Sequence, residues 1–408
     1  MQSVVIAGEY YSHNLGDGVI AEALCYLFKQ AAPELDVKLI DLSHRTEYCA
    51  TPPCSIIRAT GVISKIVSWL CKTIIRNHRM RRSVQYWVIW RFRERKTHHE
   101  FMISELSGAA ALIIGGGQLL MDNSLVFPYR IHSTAHSANE LSIPIAFHAC
   151  GVGDSWSWMG RRLFNASLCP ASVVSISCRD NNSVQKLKTT LPQIAAKVSL
   201  AIDPAICAAE AYGISAALES KTIGLGVIAP TELLGQSKFS QFADESYSLA
   251  QWGKLINKLS KRGYPIALFT NGSEADYVFA SKVYNSALEV GVKDISLLPR
   301  PQVPRELVVI IAQFRAIIAY RLHAIIIATS LGIPSIGFIW DEKVQQFGRE
   351  SNREEYFLEP DKVTAEDVVE KLRLMCRGIF PEVEIACLKS NAAVAARYTL
   401  QQLGIYVE

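Results

Sequence analysis

One segment constrains the fold more than any other: residues 314–347, which read FRAIIAYRLHAIIIATSLGIPSIGFIWDEKVQQF. A short apolar run at 316–320 is followed by a second apolar stretch of about two helical turns, which stops at Gly332, a residue suited to the left-handed position after a helix. A third apolar run occupies 335–340. The order and lengths of these runs predict a strand, a helix and a second strand.

Charged side chains follow both predicted strands at their carboxyl ends. Arg321 and His323 come after the first strand, and Lys343 comes after the second. Because a strand–helix–strand crossover is right-handed, both carboxyl ends lie at one edge of the sheet, where open α/β sheets bind ligands. The helix also begins near His323, so its first N–H groups point to that edge. The pattern predicts a site for a small, multiply charged anion, against the alternative of solvated cations and a structural histidine.

The chain length of 408 residues predicts two domains of roughly 200 residues each. Half of the residues are hydrophobic and 20% are charged, which is typical of a globular protein. An Ala- and Ser-rich stretch at 208–221 marks the predicted boundary. After residue 347 we expect loops and then a final helix at about 383–403. The predicted parts are an N-terminal Rossmann-like domain at 1–210, a second one at 220–375 and a C-terminal helix within 380–408.

The cysteines and the N-terminus indicate the cellular compartment of the protein. Ten cysteines are scattered along the chain without a CxxC pair, so we expect reduced thiols, no disulfide framework and no metal site. The N-terminus has no signal-peptide pattern, and no uncharged run reaches the roughly 18 residues of a membrane span. These features predict a cytoplasmic protein.

Two turns in the N-terminal half are candidates for ligand contact. Asn14 and Asp17 lie between a predicted strand at 4–8 and a helix at 17–30, where a ligand-binding loop and a plain helix cap fit equally well. A strand at 110–114 runs into glycines 115–117, which permit close approach of backbone to ligand. As a nucleotide fingerprint this glycine run is weak, since neither GxGxxG nor a P-loop lysine is present.

Two more strands end at residues of interest. The strand at 173–177 leads to Arg179, a further arginine at a strand end, and to a helix that Asp180 or Asn181 caps. His148, inside the strand at 143–149, is predicted to be a core residue and not a ligand.

Residues 58–96 form an unusually basic segment, with eleven Lys or Arg residues and one acid, Glu94. Apolar residues recur in it at helical spacing, and aromatic residues follow at 86–90. Such a segment suits the anionic face of a membrane, and a solvated helical hairpin is the equal alternative. Nucleic acid is not expected as a partner, because the rest of the chain is slightly acidic and has no recognised binding module.

Seven short motifs, taken together, resemble the polysaccharide pyruvyl transferase family. They occur in family order over roughly residues 4–347, and the basic segment 58–96 lies outside the resemblance. Arg315 departs from relatives that often have an acidic residue there. The motifs are Asn14-Leu15-Gly16-Asp17, Gly115-Gly116-Gly117 with Leu119, Leu120 and Asp122, Cys178-Arg179-Asp180, Asp203-Pro204, Thr270-Asn271-Gly272, Arg321-Leu322-His323-Ala324 and Trp340-x-x-Lys343.

The resemblance implies an α/β fold of two Rossmann-like domains with a central cleft, like GT-B glycosyltransferases. It implies transfer of a pyruvyl group from phosphoenolpyruvate to two hydroxyls of one sugar, with release of phosphate and no cofactor. The sugar would belong to a cell-surface polysaccharide or its lipid-linked precursor, which favours peripheral attachment at the inner face of the membrane. The residues that match the family's motifs are His323 as the catalytic group, Arg179 and Arg321 as anion ligands, and Lys343.

The residue types agree with this chemistry. Arginine and lysine hold carboxylate and phosphate, and His323 is a suitable general acid because an imidazole pKa can lie near the working pH. Asp17 is a candidate base, and Asn14, Gly116 and Gly117 are candidate substrate contacts. Two alternatives remain at this point: a nucleotide-sugar glycosyltransferase of the same fold, and a non-catalytic protein that binds a glycan or an anion.

Overall fold

The computed structural model describes residues 2–48, 78–122, 124–217, 219–233, 241–378 and 381–407. Contacts divide the chain into two compact units. The first unit takes its residues from Met1–Tyr11, Leu24–Asp203 and Ala393–Glu408, and the second from Ser12–Ala23 and Pro204–Ala392. Each unit is built on a six-stranded sheet. The prediction of two Rossmann-like domains is confirmed.

The sheet of the first unit has the order β2-β1-β3-β4-β5-β6, and all neighbouring strands are parallel. Its strands are β1 (Ser3–Gly8), β2 (Asp36–Asp41), β3 (Ala111–Gly115), β4 (Ile145–Cys150), β5 (Val173–Cys178) and β6 (Val198–Leu200). Every residue of β3 and β4 is buried. Both read as short, largely apolar runs because helices cover both faces of a parallel sheet.

The helices up to residue 203 connect these strands. They are α1 (Leu15–Ala31), α2 (His78–Ile89), α3 (Arg95–Leu106), α4 (Val126–Glu140), α5 (Trp158–Leu168) and α6 (Asn181–Thr190), with a π-helix at Trp90–Glu94 between α2 and α3. Asp180 caps α6 by accepting a hydrogen bond from the Ser183 N–H, as one of the two predicted caps. Of the basic segment, residues 58–77 lie outside the described residues, and 78–96 form α2, the π-helix and the start of α3.

The sheet of the second unit has the order β12-β11-β10-β7-β8-β9, and its neighbouring strands are also parallel. Its strands are β7 (Ile223–Gly226), β8 (Ile266–Phe269), β9 (Ile295–Leu297), β10 (Ala316–Ala319), β11 (Ser335–Phe338) and β12 (Phe357–Leu358). The helices are α7 (Ala208–Tyr212), α8 (Glu245–Lys261), α9 (Glu274–Glu289), α10 (Pro304–Ala312), α11 (Leu322–Ser330), α12 (Glu342–Glu350), α13 (Ala365–Met375) and α14 (Glu382–Gln402).

The division of the chain differs from the order of the sequence in two places. Residues 12–23 follow β1, yet they belong to the second unit, where the Leu15 N–H donates to the Asn271 carbonyl at 2.9 Å. Residues 393–408 belong to the first unit, although α14 begins in the second. The change of unit falls at Pro204 and not within 208–221. These assignments rest on contacts between distant parts of the chain, which local sequence patterns do not encode.

The prediction of loops after residue 347 is wrong. Strand β12 pairs with β11 through Phe357 and Leu358, and α13 follows. A capping box marks the start of α13, since the Thr364 side chain accepts from the Asp367 N–H and the Asp367 carboxylate accepts from the Thr364 N–H. This cap was a sequence signal for the helix.

In the part of the chain that the structure describes, no helix has the length and apolar character needed to cross a membrane.

His148 lies in β4 as a core residue, as predicted. It is fully buried, and its Nδ1 is 2.9 Å from the Thr399 hydroxyl. Burial lowers its pKa from 6.5 to about 4. The unfolded chain therefore binds a proton that the folded chain excludes, so stability is complete above pH 6.5 and falls as the pH drops toward 4.

We expect the first unit to lose about 2 kcal/mol of stability through His148 between pH 7 and pH 5. The variant His148→Asn keeps a hydrogen-bonding group near Thr399 but does not titrate, so its unfolding free energy should depend less on pH by that amount. Urea unfolding at both pH values measures the difference. His136→Gln, an exposed control, should keep the wild-type dependence. Equal pH slopes for wild type and His148→Asn would contradict the assignment.

Candidate active site

The strand–helix–strand pattern of the central segment is confirmed, and it places the predicted residues at one sheet edge. β10 and β11 are parallel neighbours, and each is followed at once by a helix, α11 and α12. Arg321 is the N-cap of α11, and Gly332 adopts the expected left-handed backbone with φ +73°. Asp341 caps α12 by accepting from the Lys343 N–H at 3.2 Å. Arg321, His323 and Lys343 therefore lie at the carboxyl ends of adjacent strands.

His323 stands in the first turn of α11 and is 8% exposed. Its Nδ1 is 3.4 Å from Asn14 Nδ2 and 3.9 Å from Asp17 Oδ1. Asn14 Nδ2 also lies 3.4 Å from Asp17 Oδ2. An amide N–H can donate to Nδ1 only when Nδ1 is unprotonated, which leaves the proton of the neutral ring on Nε2. The Asp17 carboxylate is close enough to stabilise the imidazolium form.

The start of α1 brings Asn14 and Asp17 to the imidazole. The sequence had suggested that Asp17 caps the helix. Helix α1 begins at Leu15, however, so Asp17 lies in its first turn. Gly16 makes this approach possible, because a Cβ atom there would lie 2.4 Å from both Cβ and Nδ1 of His323. Real Cβ atoms do not approach other carbons so closely, so any side chain at position 16 must displace the imidazole or the helix.

We therefore expect Gly16→Ala to reduce the activity of this site by roughly 100-fold, because a displacement of about 1 Å misaligns a catalytic group. Overpacking should also cost about 1–3 kcal/mol of stability. Gly253→Ala in α8 is the matched control, since a Cβ atom there meets nothing within 4 Å. That variant should gain up to about 1 kcal/mol and keep full activity. Steady-state kinetics with chemical unfolding measures both, and an active Gly16→Ala enzyme would contradict this packing.

Arg321 is held by a carboxylate that the sequence did not single out. Its Nε and Nη2 donate to Asp276 Oδ2 at 2.9 and 2.7 Å, and Glu232 lies 3.5 Å from Nη2. Asp276, in the first turn of α9, is fully buried, and its Oδ1 accepts from the Ala229 N–H at 2.8 Å. Burial raises the pKa of Asp276, and the Arg321 guanidinium opposes that rise. Asp276 thus fixes the guanidinium plane and leaves Nη1 for another acceptor.

Lys343 is oriented by the first residues after β11. Its Nζ lies 3.2 Å from Asp341 Oδ2 and 5.1 Å from the centre of the Trp340 ring, a cation–π distance. Trp340 is itself fixed, because its indole N–H donates to the Tyr320 carbonyl at 2.7 Å. This bond joins the ends of β10 and β11, and it explains why a tryptophan three residues before Lys343 helps to position the ammonium group.

Arg179 belongs to the first unit, where it follows β5. Its guanidinium Nη1 lies 3.6 Å from Asp203 Oδ2, and its Nε lies 3.8 Å from Asp180 Oδ2. The side chain is 6% exposed and packs on Gly151, where a Cβ atom would come within 3.0 Å of Nε and Nη2. Both carboxylates end neighbouring strands, so Arg179 occupies the carboxyl edge of its own sheet, as the sequence predicted.

Gly116 and Gly117 also belong to the first unit, at the end of β3. Both have left-handed backbone, with φ +80° and +77°, which side chains other than glycine rarely adopt. The Gly116 N–H donates to the His148 carbonyl at 3.2 Å, and the Gly117 carbonyl accepts from the Gly151 N–H at 2.9 Å. These bonds explain the glycines by local structure. Their predicted contact with substrate stays a prediction.

The structure thus brings Asn14, Asp17 and His323 into direct contact within the second unit, with Arg321 two residues from the histidine. In the described part of the chain, no group of three or more His, Cys, Asp or Glu side chains could hold a metal ion. Asp276, the residue that holds Arg321, was not identified from the sequence. An acid in the first turn of the helix after the Asn271-Gly272 turn was its only sequence signal.

Comparison with known proteins gives a family and a fold. A family model described as polysaccharide pyruvyl transferase matches residues 14–342. No curated protein matches the chain significantly.

Solved structures with similar folds include two UDP-GlcNAc 2-epimerases. That from Methanocaldococcus jannaschii is 9% identical with TM-score 0.59, and 98% of this chain and 99% of that chain are covered. That from Neisseria meningitidis, bound to UDP-GlcNAc, is 11% identical with TM-score 0.53 and 99% coverage of both chains. The α,α-trehalose 6-phosphate synthase from Burkholderia multivorans is 11% identical with TM-score 0.53, covering 98% of this chain and 95% of that one. At these identities the likeness shows the fold alone, which is GT-B-like.

Proposed function

The chain belongs to the polysaccharide pyruvyl transferase family, as the match over residues 14–342 shows, and on that premise we propose that phosphoenolpyruvate is its donor substrate. The enzyme transfers the pyruvyl group to two hydroxyls of one sugar, forms a cyclic ketal and releases phosphate. The sugar belongs to a cell-surface polysaccharide or to its lipid-linked precursor.

The observation that carries this proposal is the position of His323 beside Asn14 and Asp17 at the start of α11. Ketal formation from an enol phosphate requires a proton at the methylene carbon, and an imidazole is the side chain best suited to supply it near neutral pH. Asn14 and Asp17 both lie on the Nδ1 side of the ring, so Nε2 is the nitrogen proposed to deliver the proton.

The atoms and charges balance over two additions. His323 protonates C3 of phosphoenolpyruvate while the first sugar hydroxyl adds to C2 and loses its proton. Phosphate then leaves with the electrons of its bond to C2, and the second hydroxyl adds there and loses its proton. Asp17 is the proposed acceptor for a hydroxyl proton, by direct contact or through His323. One proton ends on C3 and the other on the phosphate or in solvent.

The cations are the proposed ligands of the donor, which carries about three negative charges near neutral pH. Arg321 has Nη1 available for a carboxylate or phosphate oxygen while Asp276 holds its other edge. Lys343 and the N-terminus of α11 add positive charge at the same sheet edge. Arg179, Asn14, Gly116 and Gly117 are proposed as further substrate ligands on the strength of the family motifs.

The direct test is incubation of the purified protein with phosphoenolpyruvate and candidate glycans. We expect phosphate release that depends on the glycan, and a product whose mass increases by that of a pyruvate ketal. Phosphate release without a glycan product would contradict the transfer step. Failure of every surface glycan to react, under conditions in which phosphoenolpyruvate binds, would instead support a non-catalytic anion- or glycan-binding protein.

A nucleotide-sugar glycosyltransferase is the second candidate function. It is favoured by the GT-B-like fold and by the UDP-GlcNAc bound to the similar epimerase from Neisseria meningitidis, an observation about that protein. A thermal-shift comparison separates the two functions. The proposed transferase should be stabilised by phosphoenolpyruvate, whereas stabilisation by a nucleoside diphosphate alone would favour the glycosyltransferase.

A further inference from the structure

A cavity lies in the first unit, at the end of α2. It has a volume of about 700 Å³, within the range of sites for small organic ligands. The residues that line it come from α2, the π-helix, α3, α4 and α5, and include Trp87, Trp90, Arg91, Arg95 and His132. None of the motifs that identify the family contributes to it.

The π-helix Trp90–Glu94 separates the cations of this basic stretch from its acidic residue, because Arg91 and Arg95 line the cavity and Glu94 does not. Its wider turn is closed by the Arg95 N–H, which donates to the Trp90 carbonyl, and such turns are frequent at functional sites. Glu94, the acid of this stretch, is buried and does not line the cavity. It accepts from the Tyr86 hydroxyl at 3.0 Å and lies 3.9 Å from Arg130 Nη2. The cations therefore face the cavity without the acid that adjoins them in sequence.

Arg91 and Arg95 in the cavity lining are available to a ligand, whereas Lys96 lies 3.6 Å from Glu100. Within the residues that the structure describes, no ion pair joins Arg91 or Arg95 to a carboxylate. Glu140 also lines the cavity, but its carboxylate lies 3.2 Å from Nε2 of both His99 and His136. The lining thus has an excess of positive charge at neutral pH, and unpaired arginines are suited to phosphate oxygens.

Large apolar side chains adjoin these cations. Trp90 lines the cavity and stacks on Tyr129, with ring centres 5.4 Å apart. Trp87 lines the cavity and is 44% exposed, and Phe92, next to Arg91, is 74% exposed. Exposed tryptophan and phenylalanine beside arginine suit a ligand that is anionic at one end and apolar at the other.

We propose that this cavity binds a diphosphate group attached to a long apolar chain, the form in which a membrane lipid would carry the sugar acceptor. Arg91 and Arg95 hold the phosphate oxygens, while Trp87 contacts the first part of the apolar chain. This inference rests on the proposed function only for the sugar that the lipid carries. The binding site itself stands on the charges and aromatic side chains of the cavity.

The test uses the full chain and three probes: farnesyl diphosphate, inorganic pyrophosphate and farnesol. Isothermal titration calorimetry should show that farnesyl diphosphate binds at least tenfold more tightly than either of the others. The double variant Arg91→Gln/Arg95→Gln should bind farnesyl diphosphate at least tenfold more weakly. The matched double variant Arg82→Gln/Arg93→Gln removes the same charge from positions outside the cavity lining and should change affinity less than twofold.

Three results would overturn the proposal: equal affinity for pyrophosphate, which indicates a soluble diphosphate ligand; equal affinity for farnesol, which indicates an apolar pocket; or equal losses in both double variants. Phosphate release with a lipid-free glycan should be unchanged in Arg91→Gln/Arg95→Gln, since neither arginine belongs to the site of His323. Tight binding of farnesyl diphosphate by a protein that never uses phosphoenolpyruvate would remove the proposed function and leave this site in place.

Discussion

Replacement of His323 by glutamine should reduce glycan-dependent phosphate release by roughly 10²–10⁴-fold, the usual contribution of general acid catalysis. Glutamine retains a hydrogen-bonding side chain of similar length beside Asn14, but it cannot deliver a proton to carbon near neutral pH. Because the proposed ligands of the donor are the cations and not the imidazole, the KM for phosphoenolpyruvate should change little. The loss should therefore lie in kcat.

Two further variants show whether this loss is specific. His13→Gln alters an exposed imidazole in the same segment as Asn14 and should keep wild-type kcat. Asp17→Asn removes the carboxylate 3.9 Å from His323 Nδ1 and should lower kcat by about tenfold, less than the loss of the imidazole itself. Initial rates of phosphate release, with circular dichroism to confirm folding, provide the measurement. A His323→Gln enzyme with more than a tenth of wild-type kcat would exclude this residue as the acid.

The sequence predicted the central strand–helix–strand unit because the signals for it are local. Apolar runs define β10, α11 and β11, and Gly332 ends the helix. The placement of Arg321, His323 and Lys343 at one edge of the sheet then follows from the handedness of parallel crossovers. Capping and burial were predictable for the same reason, as Asp180 and His148 show.

The partners of the cations were not predictable, because they come from distant parts of the chain. The sequence pattern suggested a cluster of unopposed positive charges, whereas Arg321 is paired with Asp276 and Arg179 lies beside Asp203. Lys343 also lies beside a carboxylate, that of Asp341. A buried cation needs a counter-charge when no substrate is bound, and a pairing carboxylate also fixes its direction.

The contact of α1 with His323 was unpredictable on the same grounds. In the sequence Gly16 was only part of a motif at the turn after β1, and its actual constraint is the imidazole against which it packs. Asn14 and Asp17 were singled out for their place between a strand and a helix, and not for the contact with His323 that the structure shows. Their relation to His323 is a property of tertiary structure, since 309 residues separate Asn14 from the histidine.

Arg321→Leu should have the largest effect on stability, a loss of about 3–5 kcal/mol, because it leaves the Asp276 carboxylate buried and unpaired. Asp276 is fully buried, and burial already raises its pKa against the opposing effect of Arg321. Without the guanidinium the pKa of the Asp276 carboxyl group should rise further, so the stability of the variant should fall more steeply with rising pH than that of the wild type. Activity should be lost as well, because Arg321 is a proposed ligand of the donor.

A second substitution separates these two roles of Arg321. In Arg321→Leu/Asp276→Asn no charge remains buried at this pair, and the asparagine oxygen can still accept from the Ala229 N–H, as Oδ1 of Asp276 does at 2.8 Å. The double variant should therefore recover about 1–3 kcal/mol of stability relative to Arg321→Leu, a coupling expected of residues in direct contact. It should recover no activity, since the guanidinium that is the proposed ligand of the donor is still absent.

Urea unfolding and phosphate release on the same preparations measure both effects. Arg305→Leu is the control for loss of an arginine, because Arg305 is exposed and its Nη1 donates to the Tyr212 carbonyl, away from Asp276. It should change stability by less than about 0.5 kcal/mol. Additive effects in the double variant would show that Asp276 does not depend on Arg321. Recovery of activity together with stability would show that Arg321 acts only through folding, and the anion would then have to be held by other residues.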